Sequence, residues 1–112
     1  ETSAFLTLEQ ALGGASSATV FFLADLGTVL ARWGNRGYRV ANLEAGLICG
    51  RLYLAAYAQG FGATGLTFYD HAVVDFFSPA ASGLDAIFVT ALGRSVKTRP
   101  STLVAPPTPP RR

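Results

Sequence analysis

Residues 60–65 read GFGATG, and the reading of that turn decides the fold. Gly60, Gly62 and Gly65 spell G-x-G-x-x-G, the spacing with which a strand turns into a helix and holds a dinucleotide pyrophosphate on the helix N-terminus. Here the surrounding pattern runs the other way: a helical stretch enters at Gly60 and a β-rich stretch leaves from Gly65. Asp85 stands twenty positions beyond Gly65, where a ribose-binding carboxylate would sit, but no strand–helix–strand unit follows the glycines. The turn therefore reads as a helix stop followed by a strand start. Gly60 is expected to end the helix in the left-handed conformation. Gly62 and Gly65 permit a tight turn and a close backbone approach, as strand glycines do where a ligand comes near.

Upstream of the turn, Tyr38 to Gln59 is the longest element, with Arg39, Asn42, Glu44, Arg51 and Gln59 its only strongly polar members. A helix apolar nearly all round is expected to be buried. Glu44 and Arg51 in mid-segment, and an uninterrupted apolar run only from Leu52 to Ala58, argue against a membrane span. Ala41, Ala45, Gly46, Cys49, Gly50, Ala55 and Ala56 would let another backbone approach, which suits a helix–helix interface. Before it, Gly34 to Gly37 reads as a turn, Leu26 to Trp33 as a short helix capped by Asp25, and Ala18 to Ala24 as a buried strand. Ser3 to Leu12 reads as a helix stopped by Gly13-Gly14. Downstream, Ala63 to Tyr69 reads as a strand, Ala72 to Phe77 as a helix capped by Asp70, residues 78–83 as loop, and Ala86 to Leu92 as a strand. The order is β-α-α-β-α-β, with strands apolar enough to be buried on both faces.

At 112 residues the chain holds one small core. Only 14% of it is charged, where about 25% is usual, so the domain is expected to hide surface against a partner subunit, a missing segment or a lipid face. The net charge of +2 comes with no basic cluster in the body, which argues against nucleic acid. A single cysteine, Cys49, leaves no intrachain disulfide and fits a reducing, cytoplasmic setting. No signal peptide is evident, and a chain without any Met is expected to be a fragment of a longer protein. The organisation expected is an N-terminal segment (1–17), a core (18–97) and a tail (98–112) that carries five of the six prolines and reads as an extended arm.

Chemistry-bearing side chains are sparse. His71, the only histidine, lies near Asp70 and Asp75, a poor ligand set that reads as the first turn of a helix, so no metal is expected. Cys49, among Leu47, Ile48 and Leu52, reads as a small packed residue. Ser78, Ser82 and Ser95 lack the strand–turn–helix setting of a nucleophile. Among the tyrosines, Tyr69, just after the glycine turn, is the candidate of interest.

The stretch from Arg32 to Asp70, RWGNRGYRVANLEAGLICGRLYLAAYAQGFGATGLTFYD, resembles the nitroreductase-like flavoprotein family, and within it the SagB-type dehydrogenase branch. Gly37-Tyr38-Arg39, Glu44-Ala45-Gly46, residues 52–56 (LYLAA) and the glycine turn carry the likeness in order; FFLADLGTVLARWG before and DAIFVTALGR after fit the same spacing, so it covers roughly Ala18 to Arg94. The resemblance implies the C-terminal portion of an α+β fold: a mixed sheet, a long buried central helix and a homodimer holding FMN at its interface. It implies hydride transfer through the flavin, with NAD(P)H as a donor and a small organic or peptide substrate. It places the strand of Gly65, Leu66, Thr67 and Phe68 along the flavin ring, and assigns the FMN phosphate to Arg94, or to Lys97 and Arg99, after the last strand. A second subunit would supply the N-terminal half that is missing here. Family members often carry Gln-Asn where this chain has Gly50-Arg51, and azoline oxidisers use a Lys-Tyr pair where this chain has Lys97-Thr98, so azoline oxidation is not implied. The alternatives are a truncated, non-catalytic homologue that serves as a dimerisation or partner-binding module, and a plain α+β domain whose apolar helix docks a partner.

Overall fold

Strand β1 (Ala18–Ala24) forms where Ala-Thr-Val-Phe-Phe-Leu-Ala supplies an unbroken β-forming run, and the computed structural model, which describes residues 1–96, places it at one edge of a three-stranded sheet. Its partner is β3 (Asp85–Gly93), the central strand, and β2 (Gly62–Gly65) is the other edge. Both pairings are antiparallel, with Phe21 opposite Val89 and Thr64 opposite Ala91. The expected mixed sheet is thus corrected: among the described residues no two paired strands run parallel, because β3 lies between β1 and β2 and runs against the direction of both.

Helices cover both faces. From the N-terminus these are α1 (Thr2–Leu6), α2 (Ala11–Ala15), α3 (Leu26–Trp33), α4 (Arg36–Ala58) and α5 (Asp70–Phe77). Alternate residues of the strands divide between the layers, as the pleat requires. Thr90 faces α4, where its hydroxyl meets Cys49 Sγ at 3.2 Å, and Phe22 and Phe88 stack edge to face on the same side. Val89 and its neighbour Phe21 face the other way, where Phe21 packs on Phe77 of α5. Thr19, on that same side, bonds the hydroxyls of Ser3 and Ser16 and so ties α1 and α2 to the sheet. Val73, Val89 and Thr90 are fully buried.

Local chemistry explains where the elements begin and end. Asp25 accepts from the Thr28 amide at 2.9 Å and the Thr28 hydroxyl at 2.6 Å, so it caps α3 as expected. Gly60 follows α4 with φ +76°, the left-handed stop read from the sequence. The turn before α4 is shorter than expected, because Gly37 is already helical and packs against Val29. The expected helix from Ser3 to Leu12 is instead two short helices with Gly13 and Gly14 inside the second. The break falls where Thr7 Oγ1 turns back onto the carbonyls of Ser3 and Ala4, competing with helix continuation. Strand β2 ends at Gly65 rather than Tyr69, since Thr67 and Tyr69 bond to residues 6–10 instead of to the sheet. Asp70 is the first residue of α5 and Tyr69 its cap, with no side-chain bond to the helix end.

The strands are only partly covered outside the middle of β3, so burial on both faces is also corrected. The long helix is buried along one side. Gly37, Ala41, Ala45, Cys49 and Ala56 turn inward, and their small size brings the helix close to the sheet. Val40, Leu43, Leu47, Leu54 and Tyr57 lie on its exposed side.

Candidate functional site

The β2 edge carries the chemistry most open to a ligand. Antiparallel pairing alternates hydrogen-bonded pairs with pairs whose backbone groups point outward. The Leu66 N–H donates to Val89 O at 3.2 Å. In the same register Thr64 and Gly62 face β3, and Ala63 and Gly65 turn their N–H and C=O groups to the outer side of this edge strand. The Gly65 carbonyl receives only a long contact, 3.4 Å, from the Thr64 hydroxyl. A Cβ on Gly65 would lie 3.0 Å from Phe88 Cζ, and Tyr53 Oη is 3.6 Å away. The glycine thus lets its strand close onto an aromatic floor.

At the start of β2, a cavity of about 380 Å³ opens between Ala15 and Ser16 of the α2 end, Gly62 to Thr64, and the continuation of β3 through Arg94 and Ser95. Arg94 is exposed, the first residue past the strand, and brings a guanidinium with its five donors to this rim. Four residues at about 3.4 Å each separate it along β3 from Thr90, the residue opposite Gly65.

The residues singled out from the sequence therefore occupy different places. Arg94 lines the cavity together with Gly62, Ala63 and Thr64, and Gly65 continues that edge. Leu66 is the last ladder residue, and Thr67 is engaged by the Gln10 side chain. Phe68 lines a separate, open hollow with Phe5, Tyr69 and His71. Lys97 and Arg99 lie outside the described residues, as does the proline-rich tail. The contributions of Ser16 and of Gln10 have no signature in the sequence, because both depend on contacts between distant segments.

Other candidates keep modest roles. His71 is the second residue of α5 and shares a cleft with Tyr38, Asp75 and Asp85, yet no group of His, Cys, Asp and Glu among the described residues could hold a metal. Cys49 is buried in the packing beneath Thr90. No helix of the described residues is long and apolar enough to cross a membrane.

Comparisons with known proteins complete the picture. The family model described as Nitroreductase family matches residues 3–97. No curated protein matches the chain. Among solved structures, the crystal structure of a protein of Anabaena variabilis described as a nitroreductase is similar, with a TM-score of 0.74 and 35% sequence identity. That match covers 81% of this chain and 19% of the other, so the chain spans only a small part of that relative's length. With the fold, the antiparallel sheet and the family match over most of its length in agreement, the chain belongs to the nitroreductase family, whose members generally bind FMN.

Proposed function

We propose that this chain is the flavin-edge portion of an FMN-dependent oxidoreductase of the SagB-type dehydrogenase branch. The observation that carries the reading is the combination of an open strand edge at Ala63 and Gly65 with a cation, Arg94, that lines the cavity at the start of the same strand. The donor set fits FMN: outward backbone groups suit the heteroatoms of a flavin ring, and a guanidinium suits a phosphate dianion bidentately. The volume beside them, about 380 Å³, lies in the range of small-ligand sites. The separation between Gly65 and Arg94 leaves room for the ribityl chain. FMN, when bound, supplies hydride acceptance and donation at its N5. The chain's own residues would hold and orient it: Gly65 would donate and accept along the ring edge, Arg94 would neutralise the phosphate, and Ser95 would offer a hydroxyl to a remaining phosphate oxygen, the Ser16 hydroxyl being committed to Gly13 O at 2.9 Å. NAD(P)H as donor and a small organic or peptide substrate complete the proposal.

The outward side of α4 supports a partner for this chain, either a second copy or a subunit carrying the rest of the domain. Val40, Leu43, Leu47, Gly50, Leu54 and Tyr57 follow one another at alternating spacings of three and four, the seam of paired helices. The five large members of this stripe are exposed, Leu54 by 71%. The same stripe favours the second reading, a non-catalytic homologue that serves as a dimerisation module.

Titration of the chain with FMN, followed by quenching of flavin fluorescence, separates the readings. The oxidoreductase reading expects saturable binding that Arg94→Ala weakens about tenfold or more, the scale of a lost charged hydrogen bond. A chain that ignores FMN leaves the module reading standing. Saturable binding unaffected by Arg94→Ala removes Arg94 from the phosphate site.

A further inference from the structure

Between α1 and α2, Leu8 and Glu9 both hold positive φ, +54° and +57°, a conformation unfavourable for residues with a Cβ. Such a turn persists only where its surroundings hold it. The Gln10 backbone N–H closes the turn onto Thr7 O at 3.1 Å, and the Gln10 side chain reinforces it. Its Nε2 donates one N–H to Thr7 O at 2.8 Å and shares the other between Thr67 Oγ1 at 2.9 Å and Thr67 O at 3.1 Å. Two of these acceptors are carbonyls, so the amide must present its nitrogen and not its oxygen to them. Two further ties flank the contact: the Tyr69 N–H donates to Leu6 O at 3.0 Å, and the Phe5 and Tyr69 rings stand 5.6 Å apart.

These ties sit where the sheet stops supporting the chain. Strand β2 is four residues long and paired on one side only, and Leu66 makes its last bond to β3. Beyond Leu66 the backbone is anchored by residues 5–10. An edge strand so short would fray from this end, and fraying at Thr67 passes directly to Gly65 two residues back. We propose that Gln10 is a positioning residue of the cofactor edge: by clamping Thr67 it holds the outward backbone groups of Gly65 at a fixed place and angle. The proposal rests on the reading of that edge as the flavin-facing one. It makes the N-terminal segment, 57 residues away in sequence from the strand it serves, part of the binding site's frame.

The test uses Gln10→Met, which keeps length and removes the donors, and Thr67→Val, which removes the hydroxyl and keeps the carbonyl. For wild type and both variants, FMN affinity is measured by fluorescence quenching, amide hydrogen exchange is measured without FMN, and the melting temperature is recorded. Gln10→Met is expected to speed exchange at the Leu66 and Tyr69 amides, the two that donate hydrogen bonds on either side of Thr67, while β1 and β3 amides stay protected. It is expected to weaken FMN binding about five- to tenfold with little change in melting temperature, and Thr67→Val to have a smaller effect of the same kind. A Gln10→Met protein that binds FMN like wild type overturns the proposal, even if its exchange rises, because the clamp would then be structural only. Should Gln10→Met not fold, wild-type affinity and exchange in Thr67→Val overturn it. Wild-type protein that fails to bind FMN overturns the flavin reading itself, an outcome distinct from the other two.

Discussion

A Cβ at Gly37 would stand 2.8 Å from the carbonyl oxygen of Val29, a backbone atom of α3 that cannot swing aside. Alanine normally favours a helix interior over glycine by about 1 kcal/mol. At Gly37 the forced separation of α3 from α4 opposes this with the cost of overpacking, about 1–3 kcal/mol. Gly37→Ala is therefore expected to destabilise the fold by up to about 2 kcal/mol, whereas Gly46→Ala, with nothing within 4 Å of its Cβ, stabilises it. Urea unfolding of the two variants checks the sign, and a stabilised Gly37→Ala would contradict the packing described. Single residues were legible in the sequence where their work is local. Asp25 caps the helix it precedes and Gly60 stops the one it follows. Gln10 was not legible, because a glutamine between two short helices has no pattern that points to Thr67, 57 residues away.

At the scale of elements, β1, α3 and β3 fell within a residue of where their apolar runs end, because composition and length specify them. The N-terminal helix and β2 did not, since a local back-bond from Thr7 breaks the first and a long-range bond from Gln10 to Thr67 accompanies the end of the second. The cap of α3 carries a pH dependence. The Thr28 hydroxyl, and then the Thr28 amide, hold the Asp25 carboxyl below its ordinary value. A carboxylate depressed in the folded state adds stability above its unfolded pKa and loses that stability as the pH falls through the folded pKa. Asp25→Ala is thus expected to lower the melting temperature at neutral pH, and the difference from wild type to shrink as the pH falls below the usual carboxylate range. A difference independent of pH would mean that the cap acts without its charge. For α4, hydropathy reported an apolar helix but not which side faces the sheet; Ala41, Ala45, Cys49 and Ala56 settle inward, whereas Gly46, Gly50 and Ala55 lie exposed with the large residues of the outer side. If the outward stripe is a seam between copies, Leu47→Glu converts a dimer to a monomer in light scattering without loss of helix content. A monomeric wild type would contradict the seam.

At the scale of the molecule, the residues read as one flavin site divide. Arg94 lines one cavity with Gly62, Ala63 and Thr64, Gly65 continues that strand edge, and Phe68 faces a separate hollow. The topology accounts for this split, since β2 leaves the sheet at Leu66 and carries the following residues away from the end of β3. Family membership was legible from the ordered motifs, and the match over residues 3–97 agrees with it. The distribution of site residues was not, because it depends on where an edge strand ends. The central claim is that FMN seats along β2 with its phosphate at Arg94. Amide chemical-shift mapping of the chain during FMN titration tests it most directly. FMN seated in this way shifts Gly62 to Gly65, Arg94 and Ser95 saturably and leaves the outward side of α4 unmoved by the ring itself; shifts confined to other surfaces, or none at all, would exclude that seat.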